Sequence, residues 1–172
     1  MQQILFFFWQ LCLLRESPEN LPSSRFVVGL VIIAYLSIAL IAVTLNQPNQ
    51  TLFGIVGTVT LGVILQATFV WLLLAFKQVT HRFIATLASL LGANTLMLLI
   101  LMPVNLTLLY TEGGSFNLFA NSISWVCLGW WLAIAGSIYH NAINISLLQG
   151  SAIAFITELL ALIVAFTLFP PS

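Results

Sequence analysis

Five apolar stretches, each near the length that crosses a bilayer and just one of them interrupted by a charge, leave this chain few ways to fold. A hydrocarbon core is about 30 Å thick and a helix rises about 1.5 Å per residue, so spanning takes about 20 apolar residues. Residues 26–45 (FVVGLVIIAYLSIALIAVTL), 52–76, 83–109, 122–145 and 151–168 meet that length. Lipid offers no partner to a backbone N–H or C=O, which leaves the helix as the natural form for such runs. The expected fold is all-α: a polytopic integral membrane bundle of five transmembrane helices, residues 1–172 forming a single membrane domain. Composition agrees. Charged residues make up 5% of the chain, against roughly 25% in soluble domains.

Residues 1–14 are apolar but too short to span. No positive charge precedes the run and no small-residue cleavage site follows it, unlike a cleaved signal peptide. Two placements fit: an interfacial helix with Trp9 and the phenylalanines dipping into the headgroup boundary, or a helix packed against the bundle or a partner subunit. Residues 15–25 then form a hydrophilic elbow, with Ser17 before Pro18, and Ser23 or Ser24, as helix-start signals. Residues 77–82 read as a polar turn. Residues 110–121 read as a loop in which Phe116 to Phe119 dip into the interface, and Pro103 is expected to kink the third span.

Arg15, Arg25, Lys77 and Arg82 are the four basic residues, and with five spans all of them fall on one side. The positive-inside rule then places the N-terminus in the cytoplasm and the C-terminus across the membrane. A net charge of zero argues against a nucleic-acid partner and against a polybasic grip on anionic headgroups. Cys12 and Cys127 lie in different runs without CxxC spacing, so neither a disulfide framework nor a structural metal site is indicated.

The last third of the chain carries the most specific pattern. Gly129, Ala133, Gly136, His140 and Asn144 recur at helical spacing, as do Ala154, Glu158, Ala161 and Ala165. If the two runs fold back about a turn centred near Gln149, His140 and Glu158 share a depth. Gly136 then faces Ala161, and Ala133 faces Ala165. Small residues on facing stripes let backbones approach, and polar groups in lipid seek each other. The expectation is a close-packed hairpin with a buried His140–Glu158 pair. A mid-span acid costs about 2.5 kcal/mol or more, so the pair either locks the hairpin or shares a proton that moves in transport.

Two further patterns bear on packing and function. Gly54, Thr58 and Gly62 form a small-residue stripe for helix contact. Gln66 and Asn94 fall at comparable depths on adjacent antiparallel spans, suited to a mutual hydrogen bond or to a substrate-lined cavity. Trp125 fits an aromatic belt, while Trp130 and Trp131 lie deeper, facing lipid or another subunit. His81 and His140 could in principle ligate a b-type haem, but no second His pair and no CxxCH accompanies them, so no cofactor and no metal is expected. Hydrolase elbow, Walker loop, HExxH and paired-aspartate signatures are all missing from the sequence, which points away from an enzyme.

The stretch Arg82-Phe-Ile-Ala-Thr-Leu-Ala-Ser-Leu-Leu-Gly92 with the apolar run to Met102-Pro103, and the segment from Trp130-Trp131 to His140, resemble the third and fourth spans of the Ypt-interacting-protein (Yip) membrane family in its bacterial form. That resemblance implies five spans with the N-terminus inside, in a bacterial inner membrane. The long cytoplasmic region of eukaryotic members, tied to small-GTPase work, has no counterpart here, so that role is not implied. The expected function is a non-enzymatic scaffold or accessory subunit that packs in the lipid bilayer against other membrane protein subunits. The alternatives are a small transporter or channel component using the His140–Glu158 pair with Gln66 and Asn94, and a haem- or quinone-binding redox subunit. The pair predicts that Glu158→Gln leaves folding largely intact while Glu158→Leu does not; equal tolerance of both in a detergent stability assay counts against it.

Overall fold

The computed structural model of the chain describes residues 2–15, 25–47, 49–110 and 115–169. The expected helix-start signals at Ser17, Pro18, Ser23 and Ser24 lie outside the described residues. Six α-helices follow in order: α1 Gln2–Cys12, α2 Arg25–Asn46, α3 Leu52–Phe76, α4 Phe83–Tyr110, α5 Ser115–Ile143 and α6 Leu147–Leu168. A 3₁₀ turn, Thr80–Arg82, leads into α4. The helices α2 to α6 are long and apolar enough to cross a membrane. α4 runs unbroken through Pro103. Phe116 to Phe119 are helical, because α5 begins at Ser115 rather than after the expected loop.

Left-handed residues end three of the helices. After α1, Leu14 (φ 59°) returns its N–H to the Leu11 carbonyl and Arg15 returns its own to Gln10. After α3, Gln78 (φ 59°) and Val79 bond Ala75 and Leu74 in the same way. These reciprocal bonds satisfy the carbonyls that a helix end orphans. Asn144 (φ 54°) stops α5 with one bond to His140. α6 then starts at once: Ser146 accepts from the Gln149 N–H, and the Gln149 side chain accepts from the Ser146 N–H. This reciprocal box is a strong helix start. The bend therefore falls at 144–146, several residues before the turn expected near Gln149, because Ser146 and Gln149 cap a helix instead of forming a loop.

α4 is the central helix. It packs against α2, α3, α5 and α1, and 44% of its most apolar window is buried, against 17–22% for the other long helices. At one end Arg82 donates through Nη1 to the carbonyls of Asn141 (3.0 Å) and Ala142 (3.4 Å). A guanidinium there satisfies orphan carbonyls and offsets the negative end of the α5 dipole. This contact puts turns 77–82 and 144–146 at one end of the bundle, here the basic end. At the far end the Gln50 side chain donates to the Phe169 carbonyl (3.5 Å), and the Phe53 and Phe169 rings meet edge to face.

Packing is unequal along the bundle. The main core cluster joins Val27 and Val31, Val70 and Leu74, Ala88 to Met97, and Ile134 to Ile143, all between the basic end and the middle. Val70, Leu74, Leu91 and Ile134 are at most 1% exposed. α1 completes this half. Its Phe8 ring rests where a Cβ on Gly92 would stand, Leu11 and Cys12 are buried, and Trp130 Nε1 donates to the Cys12 carbonyl (2.9 Å). Of the two placements considered for residues 1–14, α1 docks on the bundle, while Phe6 and Trp9 point outward. Burial pushes the Cys12 thiol up to about 11.

α5 and α6 make the closest helix approach described here, at Gly136 and Gly150. A Cβ on Gly150 would meet the Gly136 carbonyl; one on Gly136 would meet Ser151 Oγ, the Ser151 nitrogen (2.9 Å) and the Leu147 carbonyl (3.0 Å). Ser151 also donates to the Leu132 carbonyl (2.9 Å) across the same seam. Gly129, on the same helix, has open space at its Cβ position. Ala usually stabilises a helix by about 1 kcal/mol over Gly, but overpacking costs about 1–3 kcal/mol. Gly136→Ala should therefore lower the melting temperature in detergent and Gly129→Ala should hold or raise it. Equal behaviour of the two would mean that this seam is not tight.

Candidate functional site

Each of the five long helices brings a polar or amphipathic side chain to one level. Tyr35 lies ten residues into α2, Gln66 ten before the end of α3, and Asn94 eleven into α4. Trp131 lies twelve before the end of α5, and Glu158 eleven into α6. At about 1.5 Å per residue, all five stand about 15–18 Å from the basic end. The result is a belt across the middle of the bundle.

Part of the belt is satisfied internally. Trp131 Nε1 donates to Asn94 Oδ1 (2.6 Å), and Asn94 Nδ2 donates to Gln66 Oε1 (3.4 Å). Gln66 and Asn94 are buried. One indole and two amides thus link α5, α4 and α3. Interhelical bonds of this kind average about 0.6 kcal/mol each in a membrane, so the chain orients the Asn94 amide more than it holds the bundle together.

Glu158 stands apart from that chain. The expected partner is elsewhere: His140 Nδ1 donates to the Ile145 carbonyl at the end of its own helix, and its side chain is exposed. His140 is five residues before Ile145 and Glu158 thirteen after it, a difference in depth of about 12 Å. The displaced bend is the physical reason the pair does not form. Among the described residues Glu158 makes no ion pair and no hydrogen bond; its side chain is exposed, and Tyr35 shares both of the cavities it lines.

Two cavities meet at this carboxyl group. The first, about 450 Å³, is lined by Tyr35, Asn94, Met97, Leu98, Leu101, Asn105, Asn121, Ser124, Trp125, Cys127, Leu128, Trp131 and Glu158. The second, about 330 Å³, lies between α2, α3 and α6, with Ala39, Asn46, Gln47, Thr58, Gly62, Ala161, Ala165 and Phe169 among its walls. Tyr35, Leu98 and Glu158 belong to both. Their other lining residues run from the belt toward the far end, so one half of the bundle is packed and the other hollow. Among the described residues no Lys, Arg or His lines either cavity.

The small-residue stripes serve this hollow as much as they serve helix contact. Thr58, Gly62, Ala161 and Ala165 face the second cavity, so Ala161 does not meet Gly136 as expected; the shifted bend sets Gly136 against Gly150 and Ser151 instead. A Cβ on Gly62 would find open space, and one on Gly54 would meet just the nearby Gln50 side chain. Ala133 is half-buried, and Ala154 is buried in the main core.

His81, on the 3₁₀ turn, is exposed. Among the described residues no three His, Cys, Asp or Glu side chains cluster as a metal site would need. Trp130 and Trp131, expected to face lipid or another subunit, instead turn their N–H groups inward to Cys12 and Asn94. Tyr35, the Ser146–Gln149 box and Arg82 went unrecognised in the sequence. Counting from helix ends would have found Tyr35 and Trp131 at the level of Glu158, and the Ser-x-x-Gln box at Ser146 would have corrected the bend. No local signal marks Arg82 as the cap of α5.

Comparison with protein-family models, with characterised proteins and with solved structures finds no match.

A carboxyl group without a protein partner adds desolvation cost and no compensating bond. Glu158→Leu and Glu158→Gln should both melt at or above the wild-type temperature in detergent. This reverses the order that a His140 pair predicts. A loss of several degrees in Glu158→Leu alone would restore a structural role for the acid.

Proposed function

We propose that the chain is a non-enzymatic integral membrane protein that holds a small amphipathic molecule in the middle of the bilayer, as a binding or transport component. The observation that carries this reading is Glu158, unpaired among the described residues, at the meeting point of two cavities confined to one half of the bundle. An ionisable group in a spanning helix is expensive and marks a functional site by default. The structural explanation for this one, a bond to His140, is gone. The first cavity also falls within the range of about 300–1,000 Å³ typical of ligand sites, with mostly apolar walls and few convergent polar groups.

The bilayer placement rests on the five long apolar helices and on outward phenylalanines and leucines such as Phe53, Phe76 and Leu148, all at least 80% exposed. A soluble surface does not carry so continuous an apolar coat. With Lys77 and Arg82 at the basic end, that end is cytoplasmic, the belt lies near the bilayer centre, and the hollow half faces the other side, a bacterial periplasm in the inner-membrane setting. The packed half then forms a floor beneath Glu158.

A second reading is a scaffold or accessory subunit that docks on other membrane proteins. It is favoured by Gly129, which stands on an open face of α5 beside the exposed Trp125 and Val126. A stoichiometric partner that co-purifies in mild detergent and is lost with Gly129→Leu supports it.

Trp125 and Trp131 in the cavity wall report directly on occupancy. A neutral brominated alkanol, titrated into nanodiscs carrying the chain, should quench tryptophan fluorescence saturably. Ser124→Phe, which fills the first cavity, should remove the saturable part; linear quenching in both proteins would sink the reading. Alkaline phosphatase fused after Ser172 should be active in a bacterial host, whereas an inactive fusion would invert the topology.

A further inference from the structure

Either cavity could admit many apolar molecules, but the charge arrangement is selective. Among the described residues Glu158 is the one acidic side chain in the walls, and no Lys, Arg or His stands there to balance it. Glu158 is exposed at the surface of the chain and lines both cavities. A carboxylate carried by a membrane-spanning helix demands a countercharge, and here the occupant is the group placed to supply one. Three aromatic side chains, Tyr35, Trp125 and Trp131, line the same cavity as the acid, and Tyr35 and Trp131 are the two at its level. The Trp131 N–H is committed to Asn94, so the indole offers its ring rather than a donor. Aromatic rings beside a carboxylate suit an ammonium group, which gains from both the charge and the ring quadrupole. Toward the far end Met97, Leu98, Leu101 and Leu128 suit an apolar tail, with Asn105, Asn121 and Ser124 beside them as the polar part of the wall.

We propose that this site takes a cationic amphiphile, an amine with an apolar body, whose ammonium group lies against Glu158 between Tyr35 and Trp131 while its tail occupies the hollow half. The assignment deepens the cavity reading above and rests on it. An anionic amphiphile meets like charge at Glu158, and a neutral one leaves the carboxylate uncompensated.

The test uses the full chain in nanodiscs of zwitterionic phosphatidylcholine, with three brominated probes of equal chain length: bromododecyl trimethylammonium, bromododecanol and bromododecanoate. Saturable tryptophan quenching by the ammonium probe should set in at least about tenfold below the alcohol, the size expected of a charge-assisted contact, and the carboxylate should give none. Glu158→Gln should bring ammonium and alcohol to the same midpoint, and Glu158→Asp should keep them apart. Ser124→Phe should abolish saturation by all probes. If ammonium and alcohol bind equally to the unaltered chain, or the preference persists in folded Glu158→Gln, the ligand class is wrong and the cavity reading stands. If no probe saturates, both fall. Should Glu158→Gln fail to fold, the order of the three probes on the unaltered chain and on Glu158→Asp decides the matter.

Discussion

The seam between α5 and α6 sets the position of everything that matters in this molecule. Gly136 and Gly150 lie so close that neither has room for a Cβ, and Ser151 ties the seam to the Leu132 carbonyl. Helices in such contact cannot slide by a turn without driving a side chain into backbone. That locks the register, and the register determines the depth of each later residue on α6. With Gly150 opposite Gly136, Glu158 comes level with Leu128, which shares its cavity, and far from His140. A hairpin bent four residues later would bring acid and imidazole together.

Around that seam the bundle divides its labour. The basic half is closed by large side chains on α4 and α5, by Val70 and Leu74 from α3, and by α1, whose Phe8 fills the space above Gly92. α1 ends inside the bundle, where an unpartnered carbonyl is costly, and Trp130 answers it at Cys12. Arg82 does the same for the end of α5. The far half has small side chains where larger ones would close it, with Gly62, Ala161 and Ala165 on facing walls. A rigid floor under an open vestibule is the form expected of a site that must hold a ligand without leaking across the bundle.

The polar belt couples these halves. Trp131, Asn94 and Gln66 are joined by two hydrogen bonds, whereas the carboxyl of Glu158 at the start of the vestibule bonds to no described residue. A bonded network beside an unpaired acid is an arrangement stability alone does not favour. That contrast, more than the presence of a cavity, supports a binding role over a purely structural one.

Element identity was legible in the sequence because apolar length and the demand for internal backbone bonding leave one solution per segment. The five long helices lie close to where the runs of 26–45, 52–76, 83–109, 122–145 and 151–168 place them. Helix ends were less legible. A left-handed Asn144 and the Ser146–Gln149 box act over a single turn, and polar residues there read equally as loop. The docking of α1 and the capping by Arg82 join positions far apart in the chain, so no local pattern encodes them. The site was half visible: Glu158, Gln66 and Asn94 stood out as polar groups in apolar helices. Tyr35 passed as an ordinary apolar-helix residue, and Trp131 read as facing lipid or another subunit, until helix packing set them at the same level. By itself the sequence determined that an acid would sit mid-way along an apolar spanning helix, since that follows from the length of the run alone. Which groups surround that acid depends on a contact between two glycines, and just the folded chain decides it.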